Sequence, residues 1–239
     1  MNLAGLTLIK NGNLLNYPWK ECIKSLAGYC SQVLVATAYS KDNTLEELNK
    51  LCEQYPHVRF VMTDWVDKNT GDGRVLADVV NELLPMVESE WVVYMQADEM
   101  LHELQTNSLK MFIDQLGPEY SQIELFRTYF YKDLKTRLAP EELYLGRVFK
   151  KGTHKIGGDG MHLIRESGKV FRVTIPIFHY SRIGTEEQIT ARIRTLDRLF
   201  HPEETVETFK TFTFDRIDEA MPYNGSHPAL AYQFYSEKE

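Results

Sequence analysis

The sequence has few cysteines, and none of them is spaced as a metal or redox motif requires. The three are Cys22, Cys30 and Cys52 among 239 residues. An odd count without a CxxC pair argues against a disulfide framework and against a cysteine-based zinc site. Sparse cysteine is typical of a reducing compartment, so we expect a cytoplasmic protein.

Long hydrophobic runs are also missing. No apolar segment approaches the roughly 20 residues that span a bilayer. The N-terminus lacks a basic segment followed by a long apolar one. We therefore expect no transmembrane segment and no secretory signal. Hydrophobic residues make up 43% and charged residues 26% of the chain, which is typical of a folded domain rather than of a disordered or coiled-coil chain.

Positive charge is in deficit, since the formal net charge is −7. This argues against a general nucleic-acid binder, because phosphate contacts need a basic surface. The deficit is not uniform: residues 127–172 carry 11 Lys/Arg against 5 Asp/Glu. Such a segment suits an anionic substrate or acceptor, although a solvated face of mixed charge is the alternative.

Strand-like and helix-like segments alternate over the first hundred residues. We predict strands at 3–9, 32–38, 58–62 and 91–95, and helices at 19–29, 44–55 and 73–87, the second helix with a capping box of Thr44 and Glu47. Strands separated by helices favour right-handed crossovers, and the strands at 33–38 and 91–95 lack the alternation of a half-exposed strand. The prediction is an α/β fold with a Rossmann-like, mostly parallel sheet and helices on both faces.

The pattern changes after residue 104. We predict helices at 108–116 and 186–200, strands at 122–131, 143–149 and 170–178, and a loop-like stretch over the last 25 residues. This half is more antiparallel and richer in loops. With no linker or repeat between the halves, we expect a single domain over 1–239.

Polar residues follow the predicted parallel strands where each one ends, in loops 10–16, 38–44 and 96–100. Ligands bind at this edge of an open α/β sheet. The last strand ends in Gln96, Ala97, Asp98 and Glu99. Carboxylates suit Mg²⁺ or Mn²⁺ bridging a diphosphate. The alternative is a solvated acidic loop that caps the next helix.

Two further segments point to the same edge. Ser40, Asp42 and Thr44 open a helix directly after a buried strand, although turn and cap roles explain part of this cluster. In the segment that begins at Asn69, glycines including Gly73 precede a helix N-terminus, and Arg74 lies in the first turn of that helix. A helix N-terminus attracts anions and an arginine adds a forked phosphate donor, while a plain turn is the alternative.

In their order, these motifs resemble the family 2 type glycosyltransferases of the GT-A fold. The shared order is a first strand followed by an Asn, a strand ending in Ser-x-Asp-x-Thr, a Gly-x-Gly before a helix, and an apolar strand ending in Asp-x-Asp. Here the last motif stands as Gln-Ala-Asp-Glu over 96–99, which looks like a bacterial and phage branch. Gly157-Gly-Asp-Gly-Met-His162, Ile177-Phe-His-Tyr180 and Gly225-Ser-His-Pro228 also resemble that branch.

The resemblance implies a nucleotide-diphosphate sugar donor, Mn²⁺ or Mg²⁺, and transfer of the sugar to an acceptor hydroxyl by an inverting displacement. It also implies that 1–104 is the nucleotide-sugar-binding half and 105–239 the acceptor-binding half. Asp98 matches the metal-binding carboxylate, and His179 corresponds to a late metal ligand, with a packing histidine as the alternative. The residues expected to contact the donor are Asn11, Ala38, Tyr39, Ser40, Asp42, Gly73, Arg74, Gln96 and Ala97. Gln96 stands where the family usually has Asp, and Tyr39 stands near a common uracil-side Asp.

The general base should be a carboxylate on the acceptor side, beyond the metal motif. Our choice is Asp159, because the surrounding glycines let the backbone approach a ligand or bend sharply. A simple Gly-Asp-Gly turn is the competing interpretation. Glu142 and Asp133 are the alternative bases.

Several other functions remain open. The acceptor is expected to be a cell-surface glycan, and a modified nucleic-acid base is a less favoured acceptor. The replacement at Gln96 is also compatible with a non-catalytic carbohydrate- or nucleotide-binding protein. Loop 10–16 lacks the Gly-rich, basic pattern of a sugar nucleotidyltransferase, and no GxGxxG follows the first strand as a nicotinamide enzyme requires.

Overall fold

The computed structural model describes residues 2–65, 70–139, 143–201, 206 and 211–236. The strands are β1 Leu3–Ile9, β2 Gln32–Thr37, β3 Val58–Met62, β4 Trp91–Tyr94, β5 Glu99–Leu101, β6 Tyr120–Leu138, β7 Tyr144–Lys150, β8 His154–Gly157, β9 His162–Arg165, β10 Lys169–Ile183 and β11 Met221–Pro222. The helices are α1 Trp19–Tyr29, α2 Thr44–Gln54, α3 Val75–Asn81, α4 Thr106–Gln115, α5 Glu186–Asp197 and α6 Ala229–Ser236.

The first four strands form the parallel part of the sheet, in the order β3-β2-β1-β4. Leu6 lies opposite both Leu34 and Tyr94, so β1 is central. All residues of β1, β2 and β4 are buried, as expected for parallel strands covered on both faces. One core joins this sheet to α1 and α2, and the other joins it to α3.

The chain order reverses between β1 and β4, because β2 and β3 extend the sheet to one side and β4 extends it to the other. A reversal of this kind opens a crevice at the carboxyl ends of the two strands. The loop after β1 and the turn after β4 therefore flank one crevice. The fold thus brings two of the predicted ligand loops to the same place.

The second half continues the same sheet as β7, β6, β10 and β5. Here β4–β7, β7–β6 and β10–β5 are antiparallel, and β6–β10 is parallel. The strands β8 and β9 form a separate antiparallel pair. The predicted fold class, with a parallel first half and a more antiparallel second half, is confirmed.

Some predicted elements need correction. The capping box at Thr44 is wrong: the N-cap is Asn43 without a side-chain cap bond, and the amide of Thr44 donates to Asp42 Oδ1 at 3.0 Å. The helix predicted over 73–87 is divided into α3 and a 3-10 turn, Leu84–Met86, because Pro85 lacks the N–H that a continuing helix uses. The last 25 residues include the helix α6 rather than loop alone.

Over the described ranges, no helix has both the length and the apolar character needed to cross a bilayer.

Candidate active site

The turn after β4 holds Asp98 at the mouth of the crevice. Inside the turn the amide of Glu99 donates to the carbonyl of Gln96 at 2.9 Å. The amide of Gln96 donates to Glu99 Oε2 at 3.1 Å, and the thiol of Cys22 on α1 donates to the carbonyl of Gln96 at 3.3 Å. Hydrogen bonds from Glu99 and Cys22 therefore hold the backbone of this turn at Gln96.

Glu99 points into the protein and pairs with Arg147 of β7. The guanidinium donates to both carboxylate oxygens, at 2.7 and 2.8 Å, and both side chains are fully buried. Burial acts to raise the pKa of Glu99, but the charge and hydrogen bonds of Arg147 hold that pKa below its usual value. Because Arg147 occupies both oxygens, Glu99 is a structural carboxylate and not a free metal ligand.

Arg147 also ties this turn to the loop that contains Asp159. Its Nη1 donates to the carbonyl of Met161 at 2.7 Å, and the amide of Met161 donates to Asp159 Oδ1 at 3.2 Å. Asp159 is half-buried. The next residue, Gly160, has a φ of +81°, and a Cβ there would lie 3.0 Å from the hydroxyl of Tyr94. A glycine at 160 is therefore needed for this approach to β4.

Asp98 faces His179 across the crevice. The His179 Nε2 to Asp98 Oδ2 distance is 3.4 Å, and the two residues are 3% and 8% exposed. Burial acts to raise the pKa of Asp98, while His179 and then Arg192 lower it by more, so the pKa lies below its usual value. The amide of Tyr180 donates to the Asp98 carbonyl at 3.0 Å, which anchors the backbone. Asp98 is thus an ionised, buried carboxylate.

The alternation of β10 separates His179 from its neighbours. Phe178 and Tyr180 face the opposite side, where Phe130 stacks on them at ring-centre distances of 5.8 and 5.1 Å. His227 packs on the same cluster, accepting or donating at 3.0 Å with the Tyr180 hydroxyl. The motif over 225–228 therefore helps to hold β10, which in turn aims His179 at the crevice.

Arg127 of β6 covers the far side of the His179 ring. Its Nε and Nη2 lie 3.0 and 2.7 Å from His179 Nδ1. Tyr129 supports both groups: the guanidinium lies 5.0 Å from its ring centre and the imidazole 5.2 Å.

A buried arginine joins the two halves of the crevice. Arg192 of α5 is 3% exposed and donates only to backbone carbonyls in the described chain. The acceptors are Leu15 at 2.8 Å, Asn16 at 2.6 Å, Ser181 at 3.1 Å and Ile183 at 2.8 Å. Arg192 therefore fixes the loop after β1 to the end of β10.

The loops after β1 and β2 lock together, as their shared edge predicts. Asn11 has a φ of 53°. Its backbone N–H donates to Ser40 Oγ at 3.1 Å, and its side-chain Oδ1 accepts from the backbone amide of Lys41 at 2.7 Å. Asp42 accepts from the amide of Leu14 at 2.7 Å. Burial acts to raise the pKa of Asp42. The hydrogen bonds from Thr44 and from the Leu14 amide outweigh burial, so this pKa lies below its usual value.

Tyr39 is the outward-facing residue of this region. It is 76% exposed, whereas Ala38 and Ser40 on either side are buried. An exposed aromatic ring at the end of a central strand presents a flat apolar face to the crevice edge. Among the predicted donor-contact residues that directly follow β2, Tyr39 has the exposed side chain, while Ala38 and Ser40 are buried and Asp42 is half-buried.

Gly73 and Arg74 lie directly before α3, whose N-cap is Arg74. Gly73 has a φ of +67°, and a Cβ there would overlap the ring of Phe200, so this glycine makes room for that ring. Arg74 is exposed, and its amide donates to Asp72 Oδ1 at 3.2 Å. Their contact with a donor stays a prediction, and Asn69 lies outside the described residues.

Of the alternative bases, Asp133 accepts from the amide of Lys135 at 2.9 Å, and Glu142 lies outside the described residues. Sequence reasoning missed Arg127, Arg147 and Arg192. The basic excess over 127–172 was the only signal, and it covers the first two.

The described residues contain no group of three or more His, Cys, Asp and Glu side chains arranged around a common point for a metal. Asp98 is nevertheless compatible with a cation. Mg²⁺ in phosphate-binding sites is held by one or two carboxylates together with substrate phosphates and water. The residues present fit a cation that arrives with a diphosphate better than a cation that is held by protein alone.

No protein-family model matches the sequence, and no curated protein matches it. Solved structures do match. The mannosyltransferase PcManGT from Pyrobaculum calidifontis, in complex with GDP-Man and Mn²⁺, matches with a TM-score of 0.51 and 14% identity over 98% of this chain and 69% of the other. TarS 1–349 from S. aureus, in complex with UDP, matches with a TM-score of 0.50 and 14% identity over 87% of this chain and 69% of the other. The chain therefore has the GT-A fold that the sequence predicts.

Proposed function

We propose that this protein transfers a sugar from a nucleotide-diphosphate sugar to an acceptor hydroxyl. The observation that carries the proposal is the position of the buried Asp98 carboxylate, which faces His179 at the sheet crevice between β1 and β4. The shared fold supports it, since the Pyrobaculum structure holds GDP-Man and Mn²⁺ and the S. aureus structure holds UDP. The family 2 assignment and the Gln-Ala-Asp-Glu branch belong to the proposal as well.

The donor would lie along the edge formed by loops 10–16 and 38–44. The side chains of Asn11, Ser40 and Asp42 already join these loops by accepting hydrogen bonds from backbone amides. The two loops therefore form a rim before the donor binds. Tyr39 would stack on the nucleobase through its exposed ring. Ala38, Gln96 and Ala97 would line the crevice, while Gly73 and Arg74 would lie toward the phosphates.

The diphosphate would then lie over Asp98, which would share Mn²⁺ or Mg²⁺ with the phosphate oxygens. When bound, such a cation supplies Lewis-acid stabilisation of the departing diphosphate. His179 stands beside this position. Arg127 and Arg192 add fixed positive charge near the same place, and such preorganised charge stabilises a leaving anion without reorganisation.

Asp159 would act as the general base. Its carboxylate would take the proton of the acceptor hydroxyl, whose oxygen attacks the anomeric carbon as the bond to the diphosphate oxygen breaks. Attack opposite to the leaving group inverts the anomeric configuration. Arg147 links the loop of Asp159 to the turn of Asp98, which keeps base and leaving-group site in register.

The acceptor would be an anionic cell-surface glycan bound by the half at 105–239. Exposed basic residues in this half support the choice: Lys132, Lys155, Arg165, Lys169 and Arg172. A modified nucleic-acid base is the less favoured acceptor. The three free cysteines favour a cytoplasmic location for the reaction.

A second candidate function is non-catalytic binding of a nucleotide or carbohydrate. The observation that favours it is that the turn over 96–99 offers only Asp98 as a carboxylate unpaired with arginine, because Glu99 is occupied by Arg147 and Gln96 replaces an acid. Both candidates predict nucleotide binding. Only the transferase predicts consumption of the donor.

The test is a thermal-shift screen of nucleoside diphosphates with and without Mn²⁺, followed by donor-hydrolysis assays. A ligand at a hundred times its dissociation constant raises stability by about 2.7 kcal/mol. We expect one nucleobase to raise the melting temperature most in the presence of Mn²⁺, and an Asp98→Asn variant to lose the Mn²⁺-dependent part. A shift without any donor consumption would favour the binding protein, and no shift with any diphosphate would contradict both.

A further inference from the structure

The imidazole of His179 is held by a group that can only donate hydrogen bonds. Two guanidinium nitrogens of Arg127 lie 3.0 and 2.7 Å from Nδ1. An arginine side chain carries five N–H donors and no acceptor. Nδ1 must therefore present its lone pair to Arg127. The ring proton is then on Nε2, which lies 3.4 Å from Asp98 Oδ2.

This polarity is opposite to that of a metal-ligating histidine. Such a histidine binds the metal through one nitrogen and donates the other ring N–H to a carboxylate, a carbonyl or water. If His179 bound a cation through Nε2, its proton would have to sit on Nδ1 and point at the guanidinium. Arg127 and a cation therefore require different tautomers of the same ring.

The nearest acceptor does not relieve the conflict. Glu99 Oε1 lies 4.0 Å from His179 Nδ1, beyond hydrogen-bond distance, and it already accepts from Arg147 at 2.8 Å. Arg127 itself is held in place, because its backbone amide donates to Leu143 at 2.8 Å and its guanidinium lies over Tyr129. The arrangement is thus built into β6 and β10.

We propose that Arg127 is a positioning residue that fixes His179 as the Nε2–H tautomer, so that His179 orients Asp98 and does not ligate the cation. The proposal deepens the proposed function and rests on it for the role of Asp98. It replaces the ligand role that the sequence resemblance implies for His179. The cation is then held by Asp98 and donor oxygens.

The first experiment reads the tautomer directly. Long-range ¹H–¹⁵N spectra of the full chain, with the His179 signals assigned through His179→Gln, distinguish a protonated from an unprotonated ring nitrogen. We expect Nε2 protonated and Nδ1 unprotonated in the wild type, and loss of this preference in Arg127→Met. A wild-type ring protonated on Nδ1 would overturn the proposal. This measurement needs neither donor nor turnover, so it stands apart from a failure of the proposed function.

The second experiment measures Mn²⁺ binding by electron paramagnetic resonance with a nucleoside diphosphate present. His179→Gln keeps an amide donor for Asp98, and we expect its Mn²⁺ affinity to stay near the wild-type value. Asp98→Asn should weaken binding by roughly tenfold or more, as loss of a partner at a metal site does. Arg127→Met frees Nδ1 to carry a proton, so its Mn²⁺ affinity should rise.

The double variant Arg127→Met/His179→Gln is the matched control. If the gain in Arg127→Met comes from ligation by His179, the double variant loses it. Two results would contradict the assignment: a loss of roughly tenfold in His179→Gln alone, or hyperfine coupling between Mn²⁺ and an imidazole nitrogen in the wild type. If the protein binds no Mn²⁺, the role of a cation in the proposed function is wrong. The long-range ¹H–¹⁵N spectrum would still decide whether Arg127 fixes the tautomer of His179.

Discussion

Replacing Glu99 by Gln tests whether the site depends on a buried ion pair. Glu99 and Arg147 are both fully buried and share two hydrogen bonds of 2.7 and 2.8 Å. The substitution nearly preserves the shape but leaves the guanidinium charge buried without its counter-charge. Breaking a buried pair in this way costs about 3–5 kcal/mol. Because domains are stable by only about 5–15 kcal/mol, the loss should be obvious in the unfolding midpoint.

The assay is urea unfolding followed by tryptophan fluorescence for Glu99→Gln, and for the cycle formed by Glu99→Met, Arg147→Met and the double variant Glu99→Met/Arg147→Met. The double variant removes both charges, and such apolar replacement is often close to neutral. Here the amide of Gln96 and the carbonyl of Met161 also lose partners, at about 1–3 kcal/mol for each buried group. We therefore expect the double variant to be less destabilised than the sum of the singles by about 2 kcal/mol or more.

Acid unfolding is an independent test of the Glu99–Arg147 ion pair. The pKa of Glu99 lies below its unfolded value of 4.5, so the pair stabilises the protein fully above that pH. Its contribution is lost as the pH falls below 4.5 through the folded pKa. Glu99→Gln should flatten this part of the stability profile. A cost below about 1 kcal/mol, with an unchanged acid limb, would refute the buried pair and make it a water-exposed contact.

Four further variants test the remaining assignments. Asp98→Asn should abolish transfer, and near-wild-type turnover with added Mn²⁺ would contradict its role. Asp159→Asn should slow turnover by about 10²–10⁴-fold with donor affinity kept, measured by calorimetry and kinetics. Tyr39→Ala should weaken nucleotide binding by about 1–3 kcal/mol while Tyr39→Phe does not, as stacking requires. Gly160→Ala should cost about 1–2 kcal/mol in urea unfolding, because its φ is +81°; an unchanged midpoint would argue against that loop geometry.

The first half of the fold was predictable because its strands carry a strong local signal. In β2 and β4 every residue is buried, and the sequence shows this as apolar runs without alternation at 33–36 and 91–94. The helix α6 was missed because it has eight residues and an aromatic-rich sequence without a clear polar face. The cap of α2 was assigned wrongly because the amide of Glu47, which a capping Thr44 hydroxyl would accept from, donates to the carbonyl of Asn43 at 3.1 Å, while the Thr44 hydroxyl accepts from the amide of Asn13 at 3.4 Å.

The site was predictable only where strand ends reveal it. Asp98 follows β4 directly, so the strand-end rule finds it. Arg147 lies 48 residues from Glu99, and Arg192 lies 177 residues from the Leu15 carbonyl it holds. Pairings at such separations leave no periodicity in the sequence, because they depend on how β7 and α5 pack. Composition can only register an excess of basic residues.

The charges around the crevice argue for an anionic ligand. Glu99 and Arg147 cancel each other, which leaves Asp98 against two arginines. Arg127 hydrogen-bonds to the imidazole of His179, and within the described residues Arg192 donates its hydrogen bonds to carbonyl oxygens, so neither guanidinium is hydrogen-bonded to a carboxylate there. Burying a charge without a counter-charge is costly, so a site with a surplus of fixed cations is stabilised when an anion enters. The negative charge of a diphosphate complements the two arginines whichever nucleobase it carries. The negative charge of Asp98 restricts the positions that the diphosphate can occupy.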